Sequence, residues 1–331
     1  MKLLLISIEF IDPIFSGNGV ACRSLVRSIL KNTDHTIFVI CGCPQVGTDK
    51  SSRSLNLRDF TNSLAMCEEE CKRLDGVAIH LPNWYRTDIY SSYSEFSEVA
   101  CSIAAITEYN ADFCLSIDWT GSLVFRSLQT AGCMKIPSVY FVYCCYSFLP
   151  NISSSDKEFY RLQEFLSMEA SSLTISICGG DQKKLRSMGS SKEVKVLLPP
   201  LRIDVQRILH QNILQPAIRR FVTCSLRLHP SKNVEVFVDA IGLLKTLLLQ
   251  KGLVPVLCGA SADPRYAAAC RSKLKSIFPE SIIYEQFLDA GDMVELFRAT
   301  KLNVHTALYE AYGMTIVEAA AAGKKRNNAR G

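Results

Sequence analysis

The sequence predicts an α/β protein with two domains, each built around a mainly parallel β-sheet. Short apolar runs alternate with stretches of helical periodicity along almost the whole chain, which is typical of repeated βαβ units. The chain has 331 residues, more than a single domain usually contains. Pro199 and Pro200 interrupt the alternation, and Pro216 follows before it resumes. We therefore expect the connection between the domains here, with domains at 1–203 and 204–323.

Apolar periodicity locates the individual elements of both halves. The strands predicted in the first half are Leu3–Ile8, Thr36–Cys41, Val77–His80, Phe113–Ile117, Ser138–Tyr143, Leu173–Cys178 and Val194–Leu198. The strands predicted in the second half are Phe221–Ser225, Val254–Cys258, Ile282–Tyr284 and Leu302–Thr306. Apolar residues spaced i, i+3, i+4 and i+7 predict helices at Cys22–Leu30, Val234–Leu248, Tyr266–Phe278, Asp292–Ala299 and Thr315–Ala322.

Composition and charge exclude several classes of protein. Hydrophobic residues make up 48% of the chain, yet no apolar run approaches the roughly 18 to 20 residues that a transmembrane helix needs. The net charge is +5, but four cations lie in 324–331, which leaves 5 − 4 = +1 for the rest. A nearly neutral body does not favour a nucleic-acid partner. We expect a cytoplasmic protein, or one attached peripherally to a cytosolic membrane face, with a disordered polar tail at 324–331.

The 14 cysteines show no metal-binding or disulfide framework. There is no C-x-x-C pair, and several cysteines fall in apolar segments, which predicts buried free thiols in a reducing compartment. Zinc is the weaker alternative, because five scattered histidines offer no paired ligand spacing. We expect neither a metal site nor a cofactor.

Strand-to-helix loops should carry the chemistry, because ligands of parallel sheets bind beyond the carboxyl ends of the strands. The first such loop contains Gly17 and Gly19, which allow close approach of a ligand to the backbone before a helix. A tight turn is an equal alternative. Cys22 stands where a dinucleotide fingerprint would need its third glycine, and no ribose-binding acid follows Ile40-Cys41, so a dehydrogenase is disfavoured.

The second loop, S-L-R-L-H-P-S-K-N, places Arg227 and Lys232 before a predicted helix. Two cations at a helix N-terminus suit a diphosphate, whose charge grows as it leaves. The alternatives are solvated surface charge and a simple N-cap formed by Ser231 or Asn233.

The third loop, E-A-Y-G-M-T-I-V-E, is the most informative of the three. Gly313 permits a tight turn into a helix whose first amides face outward. Glu318, about one turn inside this helix, could accept paired hydroxyls, and Glu310 could reach a sugar. Alternatively, both acids only favour a helix start through the helix dipole.

These motifs together resemble a known family. E-x-Y-G-M-T-I-V-E-A is similar to the E-x7-E motif of the retaining GT-B glycosyltransferases that include sucrose synthase-like and mannosyltransferase members. The second loop resembles that family's arginine–lysine diphosphate loop, and Ser16–Gly19 resembles its N-terminal glycine loop. With weaker similarities at Asp118-Trp119, Ser176 and Pro199–Asp204, the resemblance covers residues 1–323. It implies two Rossmann-like domains, the second incomplete.

The resemblance also implies a role for each motif residue. Arg227 and Lys232 would neutralise the diphosphate of a nucleotide sugar, and Glu318 would hold its ribose. Glu310 and the backbone around Gly313, Met314 and Thr315 would contact the sugar and phosphates, while Gly17 and Gly19 would approach the same donor. The reaction implied is transfer of the sugar, with retention and without a metal, to a glycan, lipid or small-molecule acceptor.

Two departures from the family leave alternatives open. Tyr143 occupies the position where many relatives carry a histidine that touches the reacting sugar, which leaves Asp118 as the acid expected to meet an acceptor. Asp118 would otherwise cap the next helix. The family pattern also stops at Gly323, so we expect a C-terminally truncated chain. An inactive fragment that binds nucleotide sugar or a partner subunit is the second hypothesis, and an unrelated nucleotide-dependent α/β enzyme is the third.

Overall fold

The structure is a computed structural model that describes residues 1–11, 17–43, 54–58, 66–81, 89–150, 152–211, 218–261, 263–286 and 288–323. The chain forms two compact units, Met1–Pro199 and Pro200–Gly331. Each contains its own sheet, so the predicted α/β fold class is confirmed. The polar tail 324–331, predicted to be disordered, lies outside the described residues.

The described residues of the first unit contain eight strands. They are β1 (Lys2–Ser7), β2 (Thr36–Cys43), β3 (Ser54–Asn56), β4 (Leu74–His80), β5 (Phe113–Ile117), β6 (Ser138–Val142), β7 (Leu173–Ser176) and β8 (Val194–Val196). Their order in the sheet is β3-β4-β2-β1-β5-β6-β7-β8, and every pair is parallel except β3 with β4. The described helices are α1 (Gly17–Asn32), α2 (Glu68–Lys72), α3 (Ile89–Cys101), α4 (Ala104–Glu108), α5 (Asp118–Thr130), α6 (Ser154–Ala170) and α7 (Gly179–Arg186).

In the second unit, the part that the structure describes contains four parallel strands. They are β9 (Phe221–Ser225), β10 (Val254–Cys258), β11 (Ile282–Tyr284) and β12 (Thr300–Asn303), in the order β11-β10-β9-β12. The described helices are α8 (Ile203–Gln211), α9 (Val234–Gln250), α10 (Pro264–Ile277), α11 (Ala290–Ala299) and α12 (Met314–Gly323).

Helix α8 corrects the prediction of an irregular connection between the prolines and Phe221. Val205 is fully buried on Ala290 and Val294 of α11, with Ile208 and Leu209 packed beside it. The apolar spacing of these three α8 residues is helical, but the flanking prolines concealed it in the sequence. The second unit therefore begins with a packed helix.

The last strand is also displaced from its prediction. It was expected at Leu302–Thr306, whereas β12 covers Thr300–Asn303 and its pairing with β9 is irregular between Thr300 and Leu302. The exposed Lys301 breaks the apolar run that marks the other strands. The correction matters for the site, because His305 and Thr306 belong to the loop after the strand.

The helix α9 illustrates how the predicted periodicity becomes core. Val234, Phe237, Val238, Ile241 and Leu248 are buried on the sheet, as the spacing predicts, and they join residues of β9, β10 and α10 in one apolar cluster. The same spacing would place Leu244 on this face, but it remains 46% exposed. This packing fixes the start of α9 next to the carboxyl end of β9.

The cysteines are all free, but only eight of them are buried. Cys67 is exposed and five others are half-buried, so burial was predicted too broadly. Within the described residues, no helix is long and apolar enough to cross a membrane. The same residues contain no group of three or more His, Cys, Asp or Glu side chains arranged to hold a metal ion.

Candidate functional site

Two loops of the second unit leave neighbouring strands at the same edge of the sheet. One follows β9 and carries Arg227 and Lys232, and the other follows β12 and carries Glu310 and Gly313. Because β9 and β12 are parallel neighbours, their carboxyl ends lie side by side. A hydrogen bond joins the loops, since the Thr306 hydroxyl donates to the Lys232 carbonyl at 2.9 Å.

The loop after β9 is strongly cationic. Arg227 is half-buried and makes no hydrogen bond or ion pair with another residue in the described part of the chain. The pKa of His229 is lowered by burial and by the positive charges of Arg227 and Lys232. Its Nδ1 lies 2.8 Å from the Ser231 hydroxyl. His229 therefore adds no positive charge to that of Arg227 and Lys232 at neutral pH.

The start of α9 differs from the predicted phosphate-binding helix end. Asn233 occupies the N-cap position with a left-handed backbone, and its side chain makes no capping hydrogen bond. The Tyr266 hydroxyl instead accepts the amides of Val234 and Glu235, at 2.7 and 3.3 Å. Ser231 does not cap α9 either, because it lies in a 3-10 turn at Pro230–Lys232. The first two amides of α9 are therefore already hydrogen-bonded within the protein.

Glu310 forms an ion pair that ties the second loop to the first. Its Oε2 lies 2.9 Å from Nζ of Lys232 and 3.4 Å from Nε2 of His305. Burial alone would raise the pKa of Glu310, but hydrogen bonding and charge from His305 and Lys232 outweigh it and lower the pKa to about 2. Glu310 is therefore ionised at neutral pH. Sequence reasoning missed His305, because the residue was assigned to the strand.

Helix α12 begins directly after a turn at Gly313. Gly313 has a φ of +73°, and a Cβ there would come within 2.7 Å of the Ile316 side chain. Its amide donates to Oε1 of Glu310 at 3.3 Å. The hydrogen bonds of the first turn run from Ile316 and Val317 to the Gly313 carbonyl, so the amides of Met314 and Thr315 precede them. This helix start suits an anion better than that of α9.

Glu318 is a buried carboxylate on α12. It is only 3% exposed, and its Oε1 has no hydrogen-bond partner among the described residues. Nη1 of Arg202 lies 3.7 Å from that oxygen, too far for a hydrogen bond. Burial raises the pKa of Glu318 to about 7, despite the opposing charge of Arg202. The carboxylate therefore retains capacity to accept hydrogen bonds.

Asp118 lies at the carboxyl end of β5 in the first unit. It is the first residue of α5, with a φ of +52° and 4% exposure, rather than a loop residue. Its carboxylate accepts hydrogen bonds from the Asn18 side chain at 2.7 Å, the Tyr143 amide at 2.7 Å and the Tyr146 hydroxyl at 3.2 Å. Asp118 does not cap its helix, because these donors come from α1 and from the residues that follow β6. Burial raises its pKa to about 7.

The remaining predicted residues surround Asp118. Tyr143 follows β6 and is 8% exposed, and burial raises the pKa of its phenol well above the usual value. Gly17 and Gly19 lie in the first turn of α1, not in a loop, while Ser16 lies outside the described residues. The residue between the glycines, Asn18, supplies the contact to Asp118. The sequence offered no signal that distinguished it from a turn residue.

Comparison with known proteins identifies the second unit. Residues 205–325 match the family described as glycosyl transferases, group 1. The chain carries a group 1 glycosyl transferase domain. The family resemblance read from the motifs is thereby confirmed, and the match contains Arg227, Lys232, Glu310 and Glu318. The chain has no match among the curated proteins with which it was compared.

Solved structures extend the similarity in fold to almost the whole chain. Sucrose-phosphate synthase from Thermosynechococcus elongatus aligns with a TM-score of 0.71 and 16% identity, over 98% of this chain and 80% of that one. A trehalose-6-phosphate structure from E. coli bound with UDP-2-fluoro glucose aligns with a TM-score of 0.66 and 12% identity, over 98% and 82%. The catalytic domain of starch synthase IV from Arabidopsis thaliana, bound to ADP and acarbose, gives 0.61 and 13%, over 96% and 80%. The TM-scores show that the chain shares the fold of these proteins, with two Rossmann-like units.

Proposed function

We propose that the protein transfers a sugar from a nucleotide-sugar donor to an acceptor hydroxyl, with retention of anomeric configuration and without a metal ion. The observation that carries this proposal is the convergence of Arg227, Lys232, Glu310 and the start of α12 at one edge of the group 1 domain. Two of the structures of similar fold hold UDP-2-fluoro glucose or ADP, which supports a nucleotide-linked donor.

Arg227 and Lys232 would take the place of a divalent cation on the departing diphosphate. One of the three N–H groups of the Lys232 ammonium donates to Glu310, so the other two can donate to phosphate oxygens. The amides of Met314 and Thr315 add fixed dipoles aimed at the same charge. In the reaction, the bond from the anomeric carbon to the diphosphate breaks and the acceptor oxygen forms the new bond to that carbon. The acceptor's proton passes to an oxygen of the departing diphosphate.

The two glutamates would hold different parts of the donor. Glu310, ionised at neutral pH, is suited to orient hydroxyls of the sugar. Glu318 presents a buried oxygen without a hydrogen-bond partner in the described residues, which suits the paired hydroxyls of a ribose. The same proposal includes Gly17, Gly19, Asp118 and Tyr143. They would contact the donor or a glycan, lipid or small-molecule acceptor.

The test is thermal melting of the purified chain with a panel of nucleoside diphosphates and nucleotide sugars. A ligand that binds only the folded state at a hundredfold excess over Kd stabilises it by about 2.7 kcal/mol. We expect a shift with one nucleotide series that is lost in Arg227→Ala and in Glu318→Ala. Lys251→Ala removes an exposed cation that follows α9, so it is the matched control and should keep the shift.

Two outcomes would revise the proposal. If no nucleotide or nucleotide sugar raises the melting temperature of a cooperatively melting chain, the donor site does not exist. If binding occurs but no donor is consumed, the chain is a nucleotide-sugar-binding protein without transfer activity. The buried Tyr143, where relatives carry a histidine, gives that second function its support. Activity that persists in EDTA and a product with the donor's anomeric configuration would support the metal-free retaining reaction.

A further inference from the structure

Arg202 is shared between two carboxylates of the second unit. Its Nε and Nη2 grip Asp204 at 3.1 and 2.7 Å, and its Nη1 faces Oε1 of Glu318 at 3.7 Å. The arginine side chain is only 11% exposed, so its charge is poorly screened by water. Asp204, Arg202 and Glu318 therefore form an acid–base–acid array in which the guanidinium lies between the two carboxylates.

The division of the guanidinium between the acids is unequal. Burial raises the pKa of Asp204, but the hydrogen bonds and charge of Arg202 outweigh it, so that the pKa is lowered. For Glu318, burial is opposed by Arg202 and reinforced by the negative charge of Asp204, and the pKa rises to about 7. Asp204 thus takes most of the stabilisation, and Glu318 remains close to its point of half-protonation at neutral pH.

Arg202 and Asp204 are the charged residues that influence the ionisation of Glu318. Helix α12 packs on α11, which carries Asp292, Glu295 and Arg298, and on β12, which carries Lys301. The neighbours that shift the Glu318 pKa are Arg202 and Asp204. A change of either should therefore be felt directly at Glu318.

We infer that Arg202 is a positioning residue that holds Glu318 ionised for the nucleoside of the donor, and that Asp204 limits this action. The inference rests on the proposed function, because it assigns a partner to the carboxylate that would hold the ribose. A neutral carboxyl group accepts fewer and weaker hydrogen bonds than a carboxylate. Donor affinity should accordingly rise with pH as Glu318 loses its proton.

The experiment measures the affinity for the nucleoside diphosphate that gives the largest melting shift, from pH 5.5 to 9. The wild type is compared with Arg202→Gln, Arg202→Lys, Asp204→Asn and Glu318→Gln. In Arg202→Gln the midpoint should move to higher pH, and a shift of one unit would weaken binding at pH 7 by about fivefold. In Asp204→Asn the midpoint should move to lower pH, because a negative charge near Glu318 is removed.

The other two variants are controls. Arg202→Lys keeps the charge but not the two-pronged contact with Asp204, so its midpoint should stay near that of the wild type. Glu318→Gln should bind weakly with no midpoint in this range. A second measurement needs no ligand: the side-chain carboxyl 13C signal of Glu318, identified by its loss in Glu318→Gln, should titrate with the same order of midpoints.

The outcomes separate this inference from the proposed function. If the wild type binds no nucleotide at any pH, the proposed function fails, and the 13C titration still tests the array. If the wild type binds but Arg202→Gln has an unchanged midpoint and only a lower melting temperature, Arg202 merely anchors α8 and the inference is wrong. If Arg202→Gln binds more tightly at every pH, Arg202 competes with the ribose, which also overturns the inference.

Discussion

The two units bury carboxylates at the carboxyl edges of their sheets in opposite ways. In the first unit, Asp118 accepts hydrogen bonds from the Asn18 side chain, the Tyr143 amide and the Tyr146 hydroxyl. In the second unit, Oε1 of Glu318 receives none from the described residues, and Arg202, which lies 3.7 Å from it, is hydrogen-bonded to Asp204. The first carboxylate joins segments of its own unit, and the second retains hydrogen-bonding capacity that no described residue uses.

The difference teaches that burial of an acid does not by itself identify a binding group. Burial raises the pKa of both carboxylates to about 7. The two carboxylates differ in the number of hydrogen-bond donors that already contact them. A buried acceptor without hydrogen-bond partners is costly unless a ligand supplies donors. Stability measurements should therefore separate the two sites even without a ligand.

The largest effect is expected for Asp118→Ala. It leaves Asn18, the Tyr143 amide and the Tyr146 hydroxyl without their acceptor, and should lower the free energy of unfolding by about 3 kcal/mol. Glu318→Ala should cost less than about 1 kcal/mol, because lost packing is offset by relief of a buried charge. Urea unfolding followed by circular dichroism measures both.

A matched variant separates the hydrogen bonds of Asp118 from its backbone. Asp118 has a φ of +52°, which glycine adopts more easily than alanine. Asp118→Gly should therefore be more stable than Asp118→Ala by about 1 kcal/mol, while still losing the hydrogen bonds. Equal losses in Asp118→Ala and Glu318→Ala would break the comparison between the two units.

A smaller effect, dependent on pH, is expected for Glu164 in the first unit. Its carboxylate accepts the Ser147 hydroxyl at 2.5 Å, and burial raises its pKa from 4.5 to about 7. A carboxyl pKa that is higher in the folded state stabilises the protein below about pH 4.5, and this stabilisation is lost as pH rises to about 7. The Glu164→Gln variant lacks this titration, so its stability relative to the wild type should improve by about 2 kcal/mol between those limits.

Urea unfolding of both proteins at intervals from pH 4.5 to 8 checks this prediction. The difference between the two curves removes the contribution of Glu318, which titrates in both proteins, and reports on Glu164 together with the effect of its charge on Asp118. If the difference in the free energy of unfolding stays constant over the whole range, folding does not raise the pKa of Glu164, and the prediction is wrong.

The smallest effect is expected for Lys232→Met in the second unit. The ion pair with Glu310 is partly exposed, and such pairs contribute about 1 kcal/mol or less. The melting temperature should change little, whereas the nucleotide-induced shift should fall because a phosphate-binding cation is lost. A large loss of stability would instead show that Lys232 holds the two loops together, as Asp118 does in the first unit.

The sequence alone determined the fold class and the order of the motifs. Apolar periodicity located β5, β9, β10 and β11 with their observed ends, because each is a short run rich in apolar residues. It also marked the buried face of α9. The loops after β9 and β12 could be chosen because parallel strands place their carboxyl ends together. The family resemblance followed from residue types and spacing in those loops.

Only the tertiary structure decided how each charged residue is used. Tyr266 caps α9, Arg202 faces Glu318, and Asn18 reaches Asp118 across one hundred residues of sequence. Such partners are distant in the chain and bear no periodic pattern, so no local signal predicts them. The pKa values of Glu310 and Glu318 move in opposite directions for the same reason. They belong to one motif, but the fold supplies Lys232 and His305 as close partners to the first and only a shared, more distant arginine to the second.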